Sequence, residues 1–598
     1  MSNNVSKKAI NYKPKTVAWR FYVVLSVVVL IYVSLAARSA YIQVVEPDML
    51  KQQGDLRSLR ISENEVHRGA IVDRNGDELA VSVPVQTVWA DPKTVIEQNG
   101  LAMVEHWQAL ADVLDQNVIE LKNRITENPR RRFVYVERQL SPAMATYIKQ
   151  LKIPGIFLRK ESKRFYPTGE ISAHVVGFTD IDDQGIEGIE SVYNKLLTGE
   201  SGKKRYRKDA KGNPVEIIED IESSPPKDLV LSIDQRIQAL AYKELKGAVR
   251  AFKATSGSVV VTNVHTGEVL ALVNSPSYNP NNRSGVAVHR LRNRAITDFY
   301  EPGSAMKPLT VLSALEFGEV KANSMIDTSP GWMRIGGRRI SDPINRGKMS
   351  PEDILIQSSN MGTSKLALSL PKDFFLDKFF EAGFGEQTGI ELMGESSGIM
   401  HQRQRWSQFE LATLSYGMGV ATTPLQLARF YSTLANGGIK TALTILKRDK
   451  DTNVISVEDS ERVFSQKNSL AVVNMLESVV DEHVKRAKVE GYRVGGKTGT
   501  AFKAMAGGYG NDYVGLFSGI GPISHPEIAV VVVINEPGGD LYHGGEVAAP
   551  VFSRVMKGAL RLLNIAPDAN SQTVVLGQGA ISTTEVLNKN QKGELTDA

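Results

Sequence analysis

The sequence predicts an α/β (α+β) protein with one transmembrane helix, an elongated N-terminal module, and a larger C-terminal domain in which helices cover an antiparallel sheet. Three observations carry this expectation. A single long apolar run occupies residues 21–38. β-Rich runs lie at both ends of residues 229–566, with helical sequence between them. A Pro pair within a charged stretch separates that region from the one before it.

At 598 residues the chain exceeds what one hydrophobic core supports, so two or more domains are expected. Apolar residues make up 42% and charged residues 23%, a globular balance that excludes a mostly disordered or fibrous chain. The net charge is only +5 and no basic stretch interleaves aromatics, so nucleic acid is not an expected partner. The absence of cysteine excludes disulfides, thiolate catalysis and the cysteine-bearing zinc sites.

Lys7, Lys8, Lys13, Lys15 and Arg20 precede the apolar run without an intervening acid, so residues 1–20 read as a cytoplasmic tail. Phe21 to Ala37 is apolar apart from Ser26 and Ser34, and Trp19, Tyr22 and Tyr41 stand near its ends, where amphipathic rings favour the interface. At about 1.5 Å per residue the run covers roughly 25 Å, and snorkelling of Arg20 and Arg38 extends it towards the hydrocarbon thickness. The positive-inside rule then places everything after Arg38 outside the cytoplasm. The small residues Ser34-Leu35-Ala36-Ala37 also suit a signal peptidase; the long basic tail and the length of the run favour an uncleaved anchor.

Residues 39–228 mix short strand-like runs with charged helical stretches such as Met103 to Asn128 and contain no dense catalytic cluster, as expected of a supporting module. Pro225 and Pro226, within Asp220 to Asp228, cannot join a helix or central strand, which puts the domain junction there. Beyond it, Leu229 to Ile233 reads as a strand and Asp234 as the N-cap of a Gln235 to Val249 helix. Ser258 to Asn263 and Glu268 to Asn274 read as a hairpin across His265-Thr266-Gly267. Tyr513 to Ile520 and Ile528 to Asn535 read as further strands, and Pro550 to Leu563 as a closing helix. Residues 567–598 are polar and poor in aromatics, as in a loosely ordered tail.

Glu301-Pro302-Gly303-Ser304-Ala305-Met306-Lys307 opens a Lys307 to Phe317 helix, with Ser304 at its N-terminus, where free N–H groups and the dipole favour developing negative charge. Lys307 lies on the same face, and an amine serves as base only if burial or a nearby cation lowers its pKa. Alone the pair is weak, since the same spacing recurs at Ser201/Lys204, Ser224/Lys227 and Ser369/Lys372. Ser358-Ser359-Asn360 is weaker still, with Ser2-Asn3-Asn4 and Ser277-Tyr278-Asn279 of the same pattern. Lys497-Thr498-Gly499-Thr500 occurs once. The signal is the order: Ser-x-x-Lys, Ser-x-Asn and Lys-Thr-Gly follow one another, widely spaced, within one predicted domain.

That order resembles the penicillin-binding proteins and β-lactamases. Arg68-Gly69-Ala70-Ile71-Val72-Asp73-Arg74-Asn75-Gly76 and Arg164-Phe165-Tyr166-Pro167-Thr168-Gly169, with His174 and Gly177, extend the resemblance to the N-terminal module of class B penicillin-binding proteins. Glu301-Pro302-Gly303 and Tyr542-His543-Gly544-Gly545 before Ala549-Pro550-Val551-Phe552 look most like the Gram-negative division-specific members.

The resemblance implies a penicillin-recognising serine transpeptidase fold at 229–566 on a pedestal or interaction domain at 39–228. It implies that Ser304 attacks the D-Ala-D-Ala bond of a peptidoglycan stem peptide and forms an acyl-enzyme, which an acceptor amine resolves into a cross-link. Lys307 is then the base, its pKa lowered by the neighbouring Lys497, and Ser358 relays protons. Asn360 holds the substrate amide and orients Lys307. Lys497, Thr498, Gly499 and Thr500 form the carboxylate-binding strand, the backbone N–H groups of Ser304 and Thr500 the oxyanion hole, and Tyr513, with Tyr509 and Tyr542, the pocket wall. No metal or cofactor is implied. β-Lactams should acylate Ser304. The implied setting is the division septum of the inner membrane, with the glycosyltransferase FtsW and other division proteins as partners. The alternatives are an elongation-specific paralogue, a D,D-carboxypeptidase or β-lactamase in which water replaces the amine, and a β-lactam sensor or scaffold without catalysis.

Overall fold

The structure is a computed structural model that describes residues 18–44, 59–63, 67–199, 203–208, 214–221, 224–403, 405–448, 460–505 and 508–569. Most of the expected N-terminal tail, and the C-terminal tail from residue 570, lie outside them. The chain divides into two compact units, residues 1–66 with 199–225, and residues 67–198 with 226–598.

The first unit contains the helix Ala18–Val44, 27 residues with none buried, within which an 18-residue stretch has a mean hydropathy of 2.2. At about 1.5 Å per residue that is roughly 40 Å, enough to cross a bilayer with its polar ends in the interfaces. Arg20 lies over the Trp19 ring and Arg38 over Tyr41, pairing a cation with an aromatic at each end. The strands Leu59–Glu63, Lys203–Lys208 and Pro214–Ile221 form an antiparallel sheet in that order.

The second unit starts with a sheet built on the long strand Glu78–Ala90, which pairs with Ile71–Val72, Val134–Leu140 and Ile156–Phe165. Val88, Trp107, Leu110, Leu121, Val136 and Ile148 form its own small core. The expected Met103 to Asn128 helical stretch is two helices, Val104–Val113 and Val118–Thr126. Asp115 has φ 50°, which interrupts the first, and the Asn117 side chain accepts from the N–H groups of Ile119 and Glu120 to start the second. Two of the N-terminal sequence stretches meet at one buried carboxylate: Arg68 Nε and Arg164 Nε each donate to Glu190 at 2.6 Å. Arg68 also donates to the Glu190 and Asp183 carbonyls, Asn194 and Thr198, so all three nitrogens of its fork are engaged.

The core does not stop at the Pro pair. Within the expected Leu229 to Ile233 strand, Leu229–Val230 is a strand and pairs in parallel with Ile71–Val72. Leu229 N–H donates to Ala70 O, and the Asp73 carboxylate accepts from Gln235 N–H, which ties the strand to the N-terminal module. Ile71, Leu79, Tyr166, Val175 and Ile189 belong to the same hydrophobic cluster as the sheet and helices that follow.

That following region contains, in chain order, α1 (Gln235–Ala251), β1 (Ser256–Asn263), β2 (Val269–Ser275), α2 (Lys307–Phe317), α3 (Asn360–Ser369), α4 (Pro424–Ala435), β3 (Gly495–Met505), β4 (Gly508–Gly521), β5 (Ile528–Asn535) and α5 (Ala549–Leu562). Asp234 caps α1, accepting from Arg236 and Ile237 N–H, as its position predicts. The five strands form one antiparallel sheet ordered β2-β1-β5-β4-β3. Every residue of β5 is buried, so the sheet is covered on both faces, which is why this strand reads as a continuous Val/Ile run rather than an alternating one. α2 is buried from Lys307 to Leu315, a central helix whose polar N-terminus points its chemistry at edge strand β3.

Candidate active site

Ser304 sits in a 3₁₀ turn, Gly303–Met306, that feeds directly into α2. This turn is pressed against β3 so tightly that a Cβ on Gly499 would stand 2.3 Å from Pro302 O. Gly303 adopts φ 53°, a left-handed conformation glycine takes at little cost. Two further bonds fix the turn from behind: Tyr431 Oη donates to Ala305 O at 3.0 Å, and Gly419 N–H donates to the Glu301 carboxylate at 2.7 Å.

Ser358 ends the turn after the helix Pro351–Ile356 and also lies in the left-handed region, at φ 54°. A non-glycine residue there is strained by about 1–3 kcal/mol, so the surroundings must hold it. They do so through Asp342, which sequence reasoning missed. Its carboxylate accepts from the N–H groups of Asn360 (2.6 Å) and Met361 (3.1 Å) and from the Ser359 hydroxyl. An anion at the N-terminus of α3 satisfies free N–H groups and the helix dipole together. No spacing in the sequence marks Asp342, because the hairpin Trp332–Ile335/Arg338–Ser341 delivers it.

The three motifs converge through Ser358. Its Oγ donates to Ser304 Oγ at 3.0 Å and accepts from Lys497 Nζ at 3.1 Å and Lys307 Nζ at 3.3 Å. Lys307 Nζ also donates to Ser358 O (2.5 Å) and Asn360 Oδ1 (2.8 Å). A hydroxyl has one proton and two lone pairs, so with both amines charged Ser358 is saturated, its proton aimed at Ser304. A neutral Lys307 has two N–H bonds, which Ser358 O and Asn360 Oδ1 absorb. Its lone pair can then accept from Ser358 Oγ–H, which turns away from Ser304 and leaves the Ser358 oxygen to accept from Ser304 Oγ–H.

Both amines are fully buried. Burial, then the Lys497 charge, hold the Lys307 pKa far below the ordinary lysine value, against an opposing pull from Asp342. The expectation gave Lys497 as the cause; desolvation is the larger one. Burial brings Lys497 down to about 8. The site therefore favours one neutral and one charged amine at neutral pH.

Lys497, Thr498, Gly499 and Thr500 lie along β3 and pair with β4, Lys497 opposite Ser518 and Thr500 opposite Gly515. Thr500 Oγ1 accepts from Gly544 N–H at 3.0 Å, which brings Tyr542-His543-Gly544-Gly545 against this strand. Tyr513, on β4, stacks on Tyr542 with centroids 4.1 Å apart and lies 4.7 Å from Phe502, so it heads a half-exposed aromatic row at the strand. The Tyr509 side chain and Ser201 are outside the described residues.

The family models match both parts of the chain: the penicillin-binding protein transpeptidase domain over residues 257–557 and the penicillin-binding protein dimerisation domain over residues 63–231. The peptidoglycan D,D-transpeptidase FtsI of Escherichia coli (strain K12) is 46% identical over 570 residues, covering 94% of this chain and 96% of that protein. The chain belongs to the class B penicillin-binding proteins. Another member, the probable peptidoglycan D,D-transpeptidase PenA of Neisseria gonorrhoeae, is 37% identical, covering 93% of this chain and 94% of its own length. Among solved structures, a peptidoglycan synthetase from Bifidobacterium adolescentis aligns with a TM-score of 0.68 at 25% identity, covering 86% of this chain and 98% of that one. The transpeptidase domain of penicillin-binding protein 3 from Burkholderia pseudomallei aligns at 36% identity with a TM-score of 0.52, covering 56% of this chain and 97% of that one. The Escherichia coli and Neisseria gonorrhoeae relatives, at 94% and 93% of this chain, match it over the dimerisation domain as well as the transpeptidase domain.

Proposed function

We propose that the chain is a peptidoglycan D,D-transpeptidase in which Ser304 is the nucleophile, acting on the D-Ala-D-Ala terminus of a stem peptide. The observation that carries this reading is the hydrogen-bond chain from Ser304 Oγ through Ser358 Oγ to two buried amines, one of them strongly depressed in pKa. Ser304 gives its proton to Ser358 as Ser358 gives its own to the Lys307 lone pair, so Oγ becomes nucleophilic as it reaches the carbonyl. The C–O bond forms, the backbone N–H groups of Ser304 and Thr500 take the oxyanion, and collapse expels D-Ala as its amine regains the proton through Ser358. The neutral acceptor amine of a second stem peptide then attacks the ester carbonyl; its proton passes by way of Lys307 and Ser358 to Ser304 Oγ as the C–O bond breaks, and the new amide is the cross-link.

In this reading charged Lys497, with Thr498 and Thr500 on β3, holds the terminal carboxylate, and Gly499 allows the strand to approach the nucleophile turn. Asn360 both orients Lys307 and binds the substrate amide, and the Tyr513–Tyr542 pair walls the cleft. A penicillin carries a carboxylate and a strained amide in the same relation and should stop at the acyl stage. Residues 39–228 serve as the pedestal, residues 229–566 as the catalytic domain, and the Ala18–Val44 helix as a single-pass anchor with the catalytic domain outside the inner membrane. A glycan polymerase of the FtsW kind at the septum supplies the strands. The test is labelling with a fluorescent penicillin: the wild-type chain should label stoichiometrically and Ser304→Ala not at all, and retained labelling in that variant would refute the assignment.

A further inference from the structure

The turn that follows β1 and the turn that precedes β5 meet at one end of the sheet, since Asn263 pairs with Ile528 and Val264 N–H donates to Glu527 O at 2.9 Å. Two imidazoles there gather around one carboxylate. Glu527 Oε1 is 2.8 Å from His525 Nδ1, Glu527 Oε2 is 3.8 Å from His265 Nε2, and the two imidazole rings are 5.6 Å apart. The candidate ligand atoms of His265, His525 and Glu527 all lie within 4.8 Å of one another.

The His265 ring is oriented from behind. Its Nδ1 is 3.3 Å from Asn436 Oδ1, and the Asn436 amide is itself turned by donating to Ile439 O and Thr441 Oγ1. An amide oxygen accepts only, so Nδ1 carries the proton and Nε2 presents a lone pair. That Nε2 is buried and has no hydrogen-bond partner. The turn is also fixed, because Asn263 Oδ1 accepts from the N–H groups of His265 and Thr266. A lone pair therefore faces a carboxylate oxygen with no donor between them, and the arrangement is short of one cation.

We propose that His265, His525 and Glu527 form a binding site for a divalent transition-metal ion of the zinc class, independent of the acyl-transfer chemistry. Two imidazoles and a carboxylate suit zinc and disfavour magnesium or calcium, which seek oxygen ligands. For bonds near 2.0–2.1 Å, tetrahedral ligand atoms stand about 3.3 Å apart, between the two separations to Glu527, so small side-chain rotations suffice. Asn436 is the positioning residue: it sets the tautomer that a metal-binding histidine needs. Three protein ligands leave a fourth position for water or a donor from another molecule. The ion would bind the β1–β2 and β4–β5 turns to each other.

The test uses the full-length, untagged chain in detergent, stripped with a chelator and titrated with zinc against a chromogenic zinc indicator. One tight equivalent is expected, unaffected by excess magnesium. His265→Ala, Glu527→Gln and the exposed-site variant His525→Ala should each weaken it at least tenfold, and Asn436→Ala by about 10–100-fold. Fluorescent-penicillin labelling should be unchanged in all four. Absence of a zinc equivalent in the wild-type chain, an equivalent that survives both histidine substitutions, or displacement by magnesium would overturn the proposal.

Discussion

At the scale of single residues, the site is governed by which of two buried amines holds a proton. In the proposed mechanism Lys307 needs a lone pair and Lys497 a charge, and their environments differ: Lys307 experiences burial and the Lys497 charge, whereas Lys497 is lowered by burial alone. Lys307→Ala is expected to slow penicillin acylation by about 10²–10⁴-fold, the usual worth of a positioned base, while leaving the fold intact; stopped-flow acylation measures it. The charge on Lys497 is present below about 8 and lost above it. The acylation rate with a carboxylate-bearing penicillin should accordingly fall as pH rises through that value. Lys307, depressed well below its ordinary range, keeps the base form available on the acidic side. A rate that keeps climbing to pH 10 would contradict the assignment of charge to Lys497.

At the scale of elements, the N-terminal stretches that carry the family resemblance are explained by one buried cluster. Arg68, Arg164 and Glu190 have side chains no more than 1% exposed, and the single Glu190 carboxylate bridges both guanidinium groups, one oxygen to each. Removing its charge leaves two buried cations poorly compensated, so Glu190→Gln should lower stability by about 3–5 kcal/mol, read from denaturant unfolding, with little change in the acylation rate of molecules that remain folded. Such elements differ in how far the sequence discloses them. The Lys307–Phe317 helix, the β1–β2 hairpin and the Asp234 cap were legible because each is set by local periodicity or capping chemistry. The pairing of Leu229–Val230 with Ile71–Val72 was not, since a short apolar run carries no mark of its partner. That Ser304, Lys307, Ser358 and Lys497 come together was legible because order along the chain stood in for distance. Asp342 escaped because its role depends on a hairpin folding back over α3, a long-range fact with no local signature.

At the scale of the whole molecule, the second unit couples its N-terminal module to its catalytic domain through a shared core, and His174 is a titratable member of that joint. Its Nε2 is 2.8 Å from Arg290 O across the boundary, and its ring meets the Tyr278 ring edge-on at 5.3 Å. Burial pushes its pKa down to about 4, from an ordinary value of 6.5. Between those values the unfolded chain binds a proton that the folded chain refuses, so stability is complete above pH 6.5 and declines as pH falls towards 4. The loss from this one group is on the order of 3 kcal/mol. His174→Gln keeps a donor for Arg290 O but cannot titrate, and should flatten that part of the stability profile while leaving the pH 7 stability closer to wild type than the pH 5 stability. Scanning calorimetry of the full chain in detergent at pH 5 and pH 7, alongside the temperature at which fluorescent-penicillin binding is lost, measures both. If the joint is shared, the loss of penicillin binding moves with the His174 titration even though His174 makes no contact with Ser304, Lys307 or Lys497 among its hydrogen bonds; an unchanged pH dependence in His174→Gln would show that the two modules are stabilised independently.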